Sequence, residues 1–353
     1  NHVDEAIIFF FNLLQALFLF WVCYNLLRYL EIAKKALLTF AIATTVLAGM
    51  LVLGIGTTVS TSTSEGDRVT ILGQDPNTVG ANMALATIIL IGLAYGVEQN
   101  KLRRHFLIWP LVALLAVSLI LTGSRGATIA LGLGILAFTL KRGNVLVVVR
   151  NFVLVLTVLI LASLVAINTE PMKSRYDKSV RRGDMAGRQF IYPIAQEMIL
   201  EKPLVGWGPI NEQYELGHRT RELEFGNPEK AADRKTRHTH NLVLEVLTST
   251  GLAGAIPLFT CIGLCLVAGW KARIGPQGIL PFALSLVILM VNMTVPLQAA
   301  KQGWMIFAYA LAFGGYSISK RRPRRAGSRM RQVSPANGSA GSPATNEKEA
   351  THQ

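Results

Sequence analysis

Ala166-Ile167-Asn168-Thr169-Glu170-Pro171-Met172-Lys173-Ser174-Arg175 marks the point where an apolar helix gives way to a polar run, which ends only at His238-Thr239-His240-Asn241. A polar stretch of roughly 70 residues is far longer than an ordinary connection between helices. Here it interrupts a chain that is otherwise soluble in lipid. Of 353 residues, 51% are hydrophobic and only 16% charged, too apolar and too thinly charged for an average soluble domain. The run from 168 to 240 therefore reads as one large extramembrane loop inside a polytopic membrane protein.

On either side of it the apolar residues come in runs long enough to cross a bilayer, which takes about 20 residues as helix. Nine spans are expected: 6–27, 36–56, 79–96, 106–122, 127–140, 151–167, 241–269, 279–297 and 303–318. All should be helices, because an open sheet cannot satisfy its backbone in lipid. The expected fold class is all-α. The domains are N-terminal membrane helices (1–167), the large loop with an amphipathic helix (168–240), C-terminal membrane helices (241–318), and a polar tail (319–353) whose composition cannot bury enough surface to fold.

Charge sets the orientation. Arg28, Lys34 and Lys35 follow the first span; Lys101, Arg103 and Arg104 follow the third; Lys141, Arg142 and Arg150 follow the fifth. Lys271 and Arg273 follow the seventh, and Lys320, Arg321, Arg322, Arg324 and Arg325 the ninth. The positive-inside rule puts these turns in the cytoplasm. The large loop, residues 57–78 and the turn at Arg125 then lie on the opposite side. Asn1 faces outward too, as in a chain lacking an odd number of N-terminal spans. The net charge of +14 reads as a topogenic signal that also suits anionic lipid. Nucleic acid is not expected as a partner, since no basic-aromatic pattern accompanies the charge. Cys23, Cys261 and Cys265 all fall in apolar spans, so the loop has no disulfide framework.

The candidate chemistry gathers on the outer side. Arg125 sits at a helix junction in Thr122-Gly123-Ser124-Arg125-Gly126; an ionisable group near membrane depth is a functional suspect, or else a snorkelling anchor. Its planar fork matches phosphate oxygens. Arg188 opens a helix expected to run to about Glu201, where free N–H groups and a guanidinium can converge on an anion. The alternative is one exposed charge among many. Phe190, Ile191, Ile194, Met198 and Ile199 give that helix an apolar stripe suited to the membrane or to the helix bundle. His240, at the membrane return, is the candidate general base, an imidazole titrating near pH 6.5 when unperturbed. Asn241 can orient a sugar or the imidazole, and Glu245 is a partner or a carboxylate paired elsewhere. Asp75-Pro76-Asn77 reads as the turn starting the third helix, with Asn77 or Thr78 as its cap. His238-Thr239-His240 without a third ligand is a weak metal signal, so no metal and no cofactor are expected.

Five stretches, in this order, resemble the O-antigen ligase/polymerase superfamily of bacterial envelope glycosyltransferases. They are Gln74-Asp75-Pro76-Asn77; Thr122-Gly123-Ser124-Arg125-Gly126; Gly187-Arg188; Pro203-Leu204-Val205-Gly206-Trp207-Gly208; and His240-Asn241-Leu242-Val243-Leu244 running on to Gly251-Leu252-Ala253-Gly254. The resemblance covers roughly residues 70 to 318. It implies about twelve spans in all, three of them before Asn1. It further implies metal-free, inverting transfer of a glycan from an undecaprenyl-diphosphate carrier to a hydroxyl of lipid A-core or a similar acceptor. Arg125 and Arg188 would hold the diphosphate, His240 would serve as base, and Asp75, Asn77 and Asn241 would contact substrate. Tyr192, where an aromatic residue (often Trp) follows Gly-Arg, and Thr248-Ser249-Thr250, where an acid is common, depart from the pattern and bear on the subtype. A polymerase or a protein O-oligosaccharyltransferase of the same superfamily shares the motifs. A transporter would be expected to carry acids at span centres or inverted repeats, and neither is visible.

Overall fold

The computed structural model describes residues 3–62, 66–95, 101–140, 145–167, 188–225, 236–295 and 301–319. Residues 168–187, among them Gly187, residues 226–235 and the tail from 320 onward lie outside the described residues. The rest is mostly helical. In chain order the helices are α1 (Val3–Leu27), α2 (Leu30–Val52), α3 (Pro76–Tyr95), α4 (Lys101–Thr122), α5 (Arg125–Ala137, extended by a 3-10 turn Phe138–Leu140) and α6 (Val145–Ile167). After the loop come α7 (Arg188–Glu201), α8 (Asn211–Phe225), α9 (Leu242–Ala272), α10 (Leu280–Val291) and α11 (Lys301–Ser319).

Four stretches, Val3–Leu27, Leu30–Val52, Pro76–Ala94 and Leu242–Ala272, are long and apolar enough to cross a membrane among the described residues. Leu107–Thr122, Arg125–Leu140, Val145–Thr157 and Leu280–Val291 are apolar but shorter. The architecture is that of a polytopic membrane protein. The expected span 279–297 shortens to α10, because Asn292 and Thr294 turn the chain by backbone bonds back to Ile288 and Val291.

α3 is the central helix, buried along most of its length, with α2, α4, α5 and α10 packed round it. α9 and α1 both pack on α11. Small residues let the backbones approach, as membrane interfaces favour: a Cβ on Gly92 would overlap Leu280, and one on Gly314 would overlap Ala268.

Two features depart from the sequence reading. Residues 57–78, read as a loop, contain an antiparallel hairpin of β1 (Thr57–Ser62) and β2 (Gly66–Ile71), with Val59 paired to Val69. The cause is local. Thr57, Thr58, Val59, Thr61, Val69, Thr70 and Ile71 are β-branched residues that favour a pleated backbone. Second, the expected span 241–269 is not one straight helix: α9 breaks at Gly251, whose φ of 59° and ψ of −160° are non-helical.

That break receives the loop after α7. Trp207 and Gly208 donate their N–H groups to the carbonyls of Thr248 and Ser249, at 2.8 and 2.9 Å. Leu252 and Ala253 donate to the carbonyls of Pro203 and Leu204, both at 2.9 Å. Four backbone bonds thus replace those the helix gives up, as a buried polar backbone requires. Any Cβ on Gly251 would lie 2.5 Å from the Leu204 carbonyl. Gly251→Ala is therefore expected to destabilise the fold by at least the about 1–3 kcal/mol of a strained backbone position. The measurement is thermal unfolding in detergent against wild type; an unchanged midpoint would mean that the loop does not depend on this break.

A second, smaller core stands outside the helix bundle. Ile191, Ile194, Ala195, Met198 and Leu216 are buried together, with Tyr192, Trp207 and Leu244 against them. Of the two settings open to the α7 stripe, Ile191, Ile194 and Met198 take the protein one. Trp207 donates Nε1–H to the Met198 carbonyl at 2.9 Å. Arg219 of α8 closes the unit with two bonds to Glu201, at 2.6 and 2.9 Å, and one to Glu215 at 2.7 Å.

Candidate functional site

Three turns meet at one end of the bundle. The first is the α4–α5 junction. Gly123 takes a φ of 61°, which the chain needs to reverse at once after Thr122. Ser124 then caps α5, its Oγ accepting from the Ala127 N–H at 3.4 Å, and its hydroxyl donates to Asn77 Oδ1 at 3.2 Å. Arg125 is the first residue of α5 and is half-buried.

The second turn follows α10. A Cβ on Gly126 would lie 2.5 Å from Thr294, so the backbone beside Arg125 presses on this turn. The third is the return from the loop into α9: the Leu242 N–H donates to the Asn292 carbonyl at 3.1 Å. Arg125 and His240 are thus carried by turns that both abut residues 292–294.

His240 holds a φ of 50°, left-handed backbone that is uncommon outside glycine and clusters at functional positions. Asn241 caps α9, its Oδ1 accepting from the N–H groups of Val243 and Leu244 at 3.0 and 3.3 Å. Asp75 does the same for α3, accepting from Asn77 at 2.8 Å and Thr78 at 3.2 Å. The cap of α3 is therefore Asp75, not Asn77 or Thr78, and Pro76 is the first helical residue, where its missing N–H costs nothing. Arg188, half-buried, opens α7. Its helix reaches the site indirectly: Tyr192, one turn on, shares the small core with Leu244, one turn past His240.

Two features had no counterpart in the sequence reading. Asn292 is 1% exposed, yet neither Nδ2 nor Oδ1 has a hydrogen-bond partner among the described residues. Buried amides are normally paired, so an orphaned one between the Arg125 and His240 turns is an open valence of the site. The sequence signal was available: a polar residue closing the apolar run 280–291. The other is Glu212 in the first turn of α8, buried at 6% exposure with Oε2 unpartnered among the described residues. Its pKa is pushed up to about 9 by burial, with the Glu245 carboxyl adding to the effect. Glu245, also buried, thus faces a second carboxyl. Burial, and then the neighbouring His240, lower the pKa of His238, so that imidazole is neutral at pH 7. The two rings stand 6.1 Å apart.

The Glu212 shift has a sign. A carboxyl whose pKa rises from 4.5 to about 9 on folding makes the folded state the better proton binder between those values. The stability it provides is complete below about pH 4.5 and is lost as pH rises through about 9. Glu212→Gln, which keeps the neutral shape, is expected to raise the unfolding temperature most at pH 8–9 and least near pH 5. Each kcal/mol corresponds to no more than the roughly 2–4 °C seen for chains of about 150–250 residues. A pH-independent difference would show that Glu212 is ionised in the fold.

Among the described residues no group of three His, Cys, Asp or Glu stands where a metal ion could be held. What the arrangement offers is a half-buried arginine, a strained histidine and an unpaired amide round one set of turns, at the end of a bundle apolar enough for a membrane. Such a site suits a substrate that is anionic and lipid-borne. Residues 110–259 match the family model described as O-antigen ligase, which supports the O-antigen ligase/polymerase superfamily. A comparison with curated proteins finds no match.

Proposed function

We propose that the chain is an O-antigen ligase-like glycosyltransferase of a bacterial inner membrane, acting at the periplasmic face without metal or cofactor. Its donor is a glycan on undecaprenyl diphosphate and its acceptor a hydroxyl of lipid A-core or a similar glycan. The observation that carries the reading is that the Arg125 and His240 turns, both within the family-matched residues 110–259, meet on residues 292–294. The acceptor oxygen attacks the anomeric carbon as the bond from that carbon to the diphosphate oxygen breaks, inverting the centre. His240 takes the hydroxyl proton. Arg125 and Arg188 stabilise the negative charge that builds on the departing diphosphate, electrostatic catalysis aimed at the transition state. Diphosphate is already a good leaving group, so cations and one base suffice. Asn292 supplies a donor and an acceptor for a sugar hydroxyl or for the water that precedes it.

The motifs are shared by polymerases, which extend the same lipid-linked glycan, and by protein O-oligosaccharyltransferases. The discriminating experiment offers purified, reconstituted chain one lipid-linked donor and three acceptors in turn: lipid A-core, a second lipid-linked glycan and a peptide. Transfer to lipid A-core is expected, and it is expected to persist in EDTA. Activity lost in EDTA and restored by Mg²⁺ would end the metal-free mechanism. Transfer only to the second glycan or the peptide would reassign the subtype, and none at all would favour a transporter.

A further inference from the structure

We infer that the end of α7 and the loop after it dip into the lipid, and that α9 crosses the membrane only from Leu252 onward, with its break at Gly251 placed at the headgroup boundary. The partner of this surface is the bilayer itself. Leu200, Leu204 and Val205 are 80%, 67% and 69% exposed, an aliphatic cluster on a segment exposed throughout from Leu200 to Val205. It does not stand alone. The bonds from Leu252 to Pro203 and from Ala253 to Leu204 set it against the start of an exposed stripe of α9. That stripe runs through Leu252, Ile256, Leu264 and Val267, at the spacing of one helix face, and stops at the exposed Lys271.

Length decides where the membrane ends. From Leu252 to Ala272 a helix rises about 31 Å, against about 30 Å for the hydrocarbon layer. The whole of α9, Leu242–Ala272, would rise about 46 Å and overshoot it. The segment before Gly251 has another character: Leu242, Glu245, Thr248 and Ser249 are buried in protein. So the apolar face belonging to lipid begins where the Leu204–Val205 loop docks, and the two surfaces form one. At that level Lys202 lies over the Trp207 ring, its Nζ 3.6 Å from the centroid, a pairing of residues both suited to a membrane interface. The placement does not depend on glycosyl transfer.

The test uses the full chain with Cys23, Cys261 and Cys265 replaced by Ala, reconstituted in vesicles of phosphatidylethanolamine and phosphatidylglycerol. A nitroxide is attached at Leu204→Cys, Val205→Cys, Ile256→Cys or His218→Cys, all exposed positions, and its collisions with oxygen and with a water-soluble nickel chelate are compared. Oxygen partitions into lipid and the chelate into water. The expected oxygen-to-nickel ratio is highest at 256, about 7.5 Å deeper than the break, intermediate at 204 and 205, and several-fold lower at 218. Ratios at 204 and 205 equal to that at 218 would place the loop in water. Labels there shielded from both reagents would mean that protein, not lipid, covers the patch. Either result overturns the inference.

Discussion

Arg125→Lys and Arg188→Lys are each expected to lower glycan transfer by about 10²–10³, the usual loss when a contact made to developing charge is removed. Charge alone is kept in both variants; what goes is the planar fork that binds two phosphate oxygens at once. For Arg125 the geometry sharpens the point. It is the first residue of α5, after a cap that bonds Asn77 and beside a glycine pressed on Thr294, so its backbone cannot shift to let a lysine reach differently. The assay is transfer from lipid-linked donor in membranes matched for protein level. Both residues are half-buried at a helix start, and neither change removes apolar surface, so both variants should insert normally. A lysine variant at 125 with full activity would reduce that arginine to a headgroup anchor. At 188 the same outcome would leave α7 as scaffold only, tied to the other turns through the small core that Tyr192 and Leu244 share.

What could be read from sequence was what side-chain pattern encodes. The stripe Ile191, Ile194, Met198 fixed α7 as a helix with one buried face, and the Thr122–Gly126 stretch marked a junction where α5 begins. What could not be read was encoded in backbone. Pro203–Gly208 and Thr248–Gly251 stood out as motifs, but their function is to bond each other through four main-chain groups, and carbonyls leave no trace in a residue pattern. The family resemblance implies substrate contacts for Asn241 and Asp75. Each gives a side-chain oxygen to a helix cap, a use that competes with binding at that atom and leaves the Asn241 amide nitrogen for a ligand. Glu212 was one acid among many in the loop; only the fold buries it beside Glu245.

His240→Ala is expected to cost about 10²–10⁴ in transfer, the range for a lost general base. Alanine alone leaves an ambiguity, because His240 holds left-handed backbone directly before the cap of α9, and a residue that resists this conformation could displace the turn instead of merely removing the imidazole. His240→Asn resolves it. Asparagine enters the left-handed region more readily than most residues, so the turn and its bond from Leu242 to Asn292 should survive, while no group of suitable basicity remains. Equal, large losses in both variants, with unfolding temperatures close to wild type, would assign the effect to proton transfer. Recovery in the asparagine variant would mean that the position serves geometry and that another group takes the proton. His238, one residue removed in the same turn, is the internal control: its imidazole is neutral and its Nδ1 buried, so His238→Ala should be much milder. If His238→Ala proved as damaging as His240→Ala, the base would have to be sought in the pair of rings and not in His240 alone.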